Sequence, residues 1–227
     1  MPEESRPKIT ALVPMRHHSQ RVPNKNYRLL DGKPLYQHIL TTLLSVSEIA
    51  EIVVDTDSPV IIEGLLASFP TIKVIDRPQE LRADDISMNT ILQHDISQAP
   101  ADFYLQTHST NPLLKATTIT KAIHTFLAAY PGKDSLFSVT RLQTRLYDHE
   151  GRAINHDPRV LIQTQDLPPV YEENSCIYLF SAATLAKKGT RIGDDPILFE
   201  TDPEESLDID EEIDLKMVEM MIKARKS

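Results

Sequence analysis

An apolar run from Ile9 to Val13 feeds directly into LVPMRHHSQRVPNKN (Leu12 to Asn26), and this junction constrains the fold more than any other stretch. The run reads as a first β-strand. The segment after it gathers Arg16, Arg21 and Lys25 with Ser19 and Asn26, and is broken by Pro14 and Pro23. Cationic and hydroxyl groups on a proline-braced loop suit a polyphosphate, because guanidinium and ammonium donors match phosphate oxygens. The carboxyl end of a strand is also where open α/β sheets bind ligands. A solvated basic surface loop is the alternative reading. A Walker loop is excluded, since GxxxxGK(S/T) is absent.

The pattern downstream alternates. Asp31-Gly32 is a turn signal, and Pro34 suits the first turn of a helix. Leu35, Ile39, Leu40, Leu43 and Leu44 recur at three- and four-residue spacing, which predicts an amphipathic helix. The β-branched run Ile49 to Val54 predicts the next strand, so β-loop-α-β opens a doubly wound α/β sheet. Asp57-Ser58-Pro59 reads as a helix start with Asp57 as cap, in preference to Asp55 and Asp57 as metal ligands.

Further strands are expected at Ile72–Ile75, Asp102–Thr107 and Ser135–Thr140. Helices are expected near Met88–Ser97, Ala116–Tyr130 and Glu211–Ala224, the last with Ile213, Met217, Met220 and Met221 as its core stripe. From Arg141 to Val170 the sequence turns polar and proline-bearing, an excursion within one domain spanning 1–227.

A formal charge of −9 argues against nucleic acid as the main partner. No apolar run approaches the roughly 20 residues that span a bilayer, and MPEESRPK carries no apolar signal core, so no membrane partner and a cytoplasmic location are expected. The single cysteine, Cys176, excludes an internal disulfide and sits in an apolar run, where a buried structural thiol is expected.

Ser206-Leu207-Asp208-Ile209-Asp210 is the second chemical signal. In an extended segment residues i and i+2 share a side, so Asp208 and Asp210 converge while Leu207 and Ile209 face the core. Two hard carboxylates, completed by phosphate oxygens and water, describe a Mg²⁺ site of the nucleotidyl-transfer type.

MRHHSQRVPNKN resembles the nucleotide-binding loop of the sugar cytidylyltransferases, above all the acylneuraminate (CMP-sialic acid) synthetases, whose pattern is roughly ARxGSKRxPxKN. Arg16, Ser19, Arg21, Pro23, Lys25 and Asn26 match. Arg77-Pro78, Gln106, LPPVYEENSCIYLF (Leu167 to Phe180) and SLDID resemble further segments of that family in the same order. The resemblance implies a Rossmann-like, mostly parallel sheet flanked by helices, of the nucleotide-diphospho-sugar transferase type, with 141–170 as a dimerisation arm or lid. It implies nucleotide contacts from Arg16, Ser19, Gln20, Arg21, Lys25, Asn26, Arg77 and Ser87. Gln106, Asn174 and Tyr171 fall to the sugar, and Mg²⁺ to Asp208 and Asp210. Arg16, Arg21, Lys25, Asp208 and Asp210 would carry catalysis. The implied partners are CTP, an acidic sugar and a second copy of the chain.

Departures from the family pattern bear on the acceptor. His17 and His18 replace small residues, Gln20 replaces a lysine, the loop in LQTHSTNPLLK is longer, and Arg159 is the nearest arginine upstream of Thr164 and Gln165 in the arm. These point away from plain N-acetylneuraminate and toward another nonulosonate such as legionaminate or pseudaminate. A 3-deoxy-octulosonate acceptor, or a nucleotide-binding protein that has lost catalysis, are the alternatives.

Overall fold

The computed structural model describes the backbone of residues 6–226. The chain forms β1 (Ile9–Leu12), a hairpin of β2 (Leu29–Leu30) and β3 (Lys33–Pro34), α1 (Leu35–Leu44), β4 (Ile49–Thr56), α2 (Pro59–Ser68), β5 (Lys73–Asp76) and α3 (Met88–Gln98). It continues with β6 (Phe103–Gln106), α4 (Ala116–Ala129), β7 (Ser135–Leu142), β8 (Val170–Phe180), α5 (Ala182–Lys188), β9 (Pro196–Glu200) and α6 (Glu212–Lys226).

Seven strands form one sheet in the order β5-β4-β1-β6-β8-β7-β9, and β8 runs antiparallel to both of its neighbours while the other pairings are parallel. All four residues of β1 are buried, as expected of a central strand covered on both faces. Because β1, β4 and β6 are parallel, the segments after Leu12, Thr56 and Gln106 emerge together at one edge. Strand β8 begins at that edge, so Ser175 joins them.

The local signals act as the residues dictate, with three corrections. Asp31 and Gly32 both take positive φ (50° and 79°) in the β2–β3 hairpin, a conformation for which Asp-Gly is suited. Pro34 directly precedes α1 in an extended conformation, one residue before its first turn. The cap of α2 is Ser58, whose side chain accepts the Ile61 N–H; Asp57 accepts the His17 N–H instead. On α6 the buried face is Leu215 and Val218, joined by Met221 and Ile222, packed against Leu30, Leu35, Leu113 and Ile209. Ile213, Met217 and Met220 are exposed. The expected stripe was a rotation away from the true one, because both faces of this helix carry apolar residues and periodicity alone does not choose between them.

The 141–170 excursion is partly an extension of the sheet: Val139–Leu142 stay paired with Val170–Glu173 as a two-stranded ribbon. Beyond it Asn155 ties the loop together, accepting the Leu146 N–H at 3.0 Å and donating to Thr144 O and Pro168 O. Ile154, Val160 and Leu161 stand exposed on it.

Candidate active site

The loop after β1 is anchored as a continuation of the sheet. Val13 N–H donates to Val53 O at 2.9 Å and Met15 N–H to Asp55 O at 2.8 Å. His17 fixes the next turn: its N–H reaches Asp57 Oδ1 at 2.7 Å, its Nδ1 lies 2.7 Å from Ser58 Oγ, and its ring stacks on Tyr27. Asn26 closes the loop from behind, donating to Arg16 O at 2.7 Å and accepting from Ser109 Oγ at 2.6 Å. Asn26 is thus a staple as well as part of the cleft wall.

A cleft of about 600 Å³ opens above this loop. Arg16, Ser19, Gln20, Arg21, Lys25 and Asn26 border it, and Asp208 and Asp210 face them. The two halves are far apart in sequence. Ile209 N–H donates to Thr110 O at 2.9 Å and the Ile209 side chain is fully buried, so the alternation in SLDID turns both carboxylates into the cleft.

Each cation rests on a carboxylate. Arg16 Nη1 lies 2.8 Å from Asp84 Oδ1, Arg21 Nη2 lies 2.8 Å from Asp210 Oδ2, and Lys25 Nζ lies 3.1 Å from Asp210 Oδ1. Gln20 Nε2 reaches Asp84 Oδ2 at 3.5 Å. The arginine pairs are solvent-exposed and worth well under about 1 kcal/mol each, so a polyanion can exchange them at little cost.

The carboxylates differ. Burial raises the pKa of Asp208, and the negative charge of Asp210 adds to this against a hydrogen bond from Thr110 and the charge of Lys25. Burial also acts to raise Asp210, but the hydrogen bond and charge of Lys25, then those of Arg21, outweigh it and hold its pKa below the usual range.

Several expected site residues lie elsewhere. Arg77 is 1% exposed, paired to the buried Asp55 beneath the loop, with Nη2 at 3.4 Å from Met15 O. It braces the loop from below and does not border the cleft. Ser87 caps α3, accepting the Thr90 N–H. Asn174 spends its amide on Thr140 Oγ1, Thr201 Oγ1 and the Cys176 N–H, which staples β8 to its neighbours. Tyr171 is an exposed residue on the ribbon, and Arg159 pairs locally with Asp157. Gln106 is fully buried behind the wall. Cys176 is fully buried, its thiol pushed up to about 12 by burial first and then by Asp208 and Glu205, as a structural thiol should be.

Asp84, His108 and Ser175 border the cleft without having been picked from the sequence. His108 lies in the lengthened HSTNP loop, Ser175 within the Leu167–Phe180 segment, and Asp84 in the polar loop after Arg77-Pro78, so each sits in a stretch that carried a signal without being singled out itself.

The sequence profile described as Cytidylyltransferase matches residues 10–226. The chain belongs to the cytidylyltransferase family. This cytidylyltransferase is 30% identical over 231 residues to the CMP-N,N'-diacetyllegionaminic acid synthase of Legionella pneumophila, with 95% of this chain and 96% of the relative covered. It is 28% identical over 222 residues to the N-acylneuraminate cytidylyltransferase A of Danio rerio, covering 94% of this chain but 50% of that protein. Its fold matches a solved CMP:2-keto-3-deoxy-manno-octonic acid synthetase complexed with CTP, at a TM-score of 0.70 and 17% identity, over 96% of this chain and 99% of that one.

Proposed function

We propose that this cytidylyltransferase activates a nonulosonic acid of the legionaminate and sialate class, joining its anomeric hydroxyl to the α-phosphorus of CTP with release of pyrophosphate. The observation that carries the reading is the cleft itself, with Arg16, Arg21 and Lys25 facing Asp208 and Asp210 across it. The relative from Legionella pneumophila supports this acceptor class because the likeness extends along nearly the whole of both chains. A 3-deoxy-manno-octulosonate cytidylyltransferase from Geotalea daltonii covers 61% of this chain at 26% identity, which makes an octulosonate the second reading.

Phosphoryl-type transfer depends on positioning and on neutralising charge along the line of attack. Arg16, Arg21 and Lys25 hold the triphosphate once its oxygens replace Asp84 and Asp210 as their partners. Ser19 donates to a phosphate oxygen, and Gln20, uncharged, adds an amide donor. Asn26 and the Asp55–Arg77 pair keep the loop's carbonyls turned inward, so its donors face the ligand. Asp208 and Asp210 suit Mg²⁺: both are hard oxygen ligands on one wall, and Asp208 has no cation within ion-pair distance among the described residues. When bound, Mg²⁺ supplies charge neutralisation at phosphate oxygens and lowers the pKa of an oxygen ligand. The reading also includes a homodimer formed through the arm, whose exposed Ile154, Val160 and Leu161 suit a contact, and a cytoplasmic site of action where CTP is available.

The test is incubation with CTP and Mg²⁺ across N-acetylneuraminate, N,N'-diacetyllegionaminate, pseudaminate and 3-deoxy-octulosonate, with the CMP-sugar identified by mass. A nonulosonate product is expected. Product from the octulosonate alone selects the second reading, and none from any acid sugar refutes both.

A further inference from the structure

Behind the cleft wall, three side chains form a chain of hydrogen bonds that fixes the tautomer of a residue bordering the cleft. Arg191 Nη1 donates to Gln106 Oε1 at 2.6 Å. Gln106 Nε2 lies 3.2 Å from Thr107 O and 3.0 Å from His108 Nε2. Arginine has donors only and a carbonyl accepts only, so the Gln106 amide has one possible orientation: oxygen to Arg191, nitrogen to Thr107 and His108. Both amide protons are then committed. His108 Nε2 must accept, and the proton of the neutral ring is forced onto Nδ1.

Arg191 is itself held hard. Its guanidinium carbon sits 3.6 Å above the Tyr178 ring centroid, and its backbone N–H donates to Asn89 Oδ1 at 3.2 Å. The direction is therefore imposed from a rigid end. Burial first, then the charges of Arg191 and Lys25 against that of Asp210, push the His108 pKa down to about 4, which favours the uncharged ring.

His108 borders the cleft, and no described residue hydrogen-bonds to its Nδ1. Along the sheet edge it follows β6, between the phosphate loop after β1 and the Tyr178–Arg191 stack on β8. An acceptor bound beside that loop would meet it there.

We propose that His108 is a substrate-contacting residue, a neutral imidazole whose Nδ1–H donates to an oxygen of the acid sugar, and that Arg191 is a positioning residue which sets this tautomer through Gln106. The contact rests on the cytidylyltransferase reading of the cleft; the tautomer does not. A neutral N–H donor discriminates by geometry without adding a cation to a cleft already supplied with three.

The experiment uses the full chain with ¹⁵N-labelled histidine. Long-range ¹H–¹⁵N spectra at pH 7 are assigned by loss of the His108 signals in His108→Phe. A protonated Nδ1 and a bare Nε2 are expected, with the ring neutral down to about pH 5. Arg191→Met frees the Gln106 amide to turn, and the tautomer shifts toward Nε2–H. In steady-state assays His108→Phe raises the acid-sugar KM about tenfold, the worth of one neutral hydrogen bond, with the CTP KM within about twofold. His108→Asn recovers part of the loss.

An Nε2–H tautomer or an imidazolium in the wild type overturns the relay. An unchanged acid-sugar KM in His108→Phe overturns the contact. Wild-type protein that turns over no acid sugar, yet shows the Nδ1–H tautomer, refutes the reaction reading and the contact together while the relay stands. Where Arg191→Met fails to fold, the wild-type spectrum and the His108→Phe kinetics decide.

Discussion

Lys25 Nζ lies 3.1 Å from Asp210 Oδ1 and donates to Ile209 O at 2.8 Å, so a single ammonium joins the loop after β1 to the segment before α6. It is the least exposed of the three loop cations, with 14% of its side chain accessible. The basic half of the cleft and its carboxylate half are therefore registered against each other.

Lys25→Met removes that register and, on the proposed reading, a phosphate donor. The expected loss in kcat/KM for CTP is about hundredfold, the scale of one preorganised electrostatic group. Steady-state kinetics on a variant with unchanged thermal stability checks it; a loss below about threefold would remove Lys25 from the site.

Arg77 is expected to matter for stability. Arg77→Met leaves the fully buried Asp55 without its counter-charge, which costs about 3–5 kcal/mol. Thermal denaturation reads this directly. A variant with unaltered melting and a raised CTP KM would return Arg77 to direct nucleotide contact.

Asp95 gives the protein a pH-dependent weakness. It is 1% exposed, lies against the buried Asp55, and has His94 Nδ1 at 3.5 Å from its Oδ1. Burial, then the charge and hydrogen bonding of Asp55, raise its pKa to about 9 against the opposing charge of Arg77. The folded state thus keeps a proton that the unfolded chain releases near pH 4. Stability from this group is full below that pH and is lost as pH rises through 9. Asp95→Asn offers the same donor at every pH. At pH 8 the variant should melt measurably above the wild type, with the gap closing toward pH 4. Equal Tm values across that range would contradict the assignment.

Much of this was legible in the sequence where a residue's chemistry and its local geometry coincide. The basic loop follows a buried strand, and SLDID alternates in an extended segment, so both reach the cleft as the pattern implies. The acceptor side was harder to read. Asn174 and Gln106 are spent on internal partners, and whether an amide faces substrate or its own strands depends on contacts made by Thr140, Thr201 and Arg191, distant in sequence. Arg191 belongs to no local pattern at all; only the pairing of β8 with β6 brings its Tyr178 platform beside Gln106. On α6 the register failed for the opposite reason, since two apolar faces compete and tertiary packing alone selects Leu215 and Val218.

The most direct test of the account is pyrophosphate release from CTP with the acid sugar and Mg²⁺, measured on the wild type, Asp208→Asn and Asp210→Asn. One pyrophosphate per CMP-sugar is expected in the wild type, with a loss of at least about hundredfold in each variant with the fold intact. Turnover at the wild-type rate in either variant would contradict it, and would move the chemistry out of this cleft.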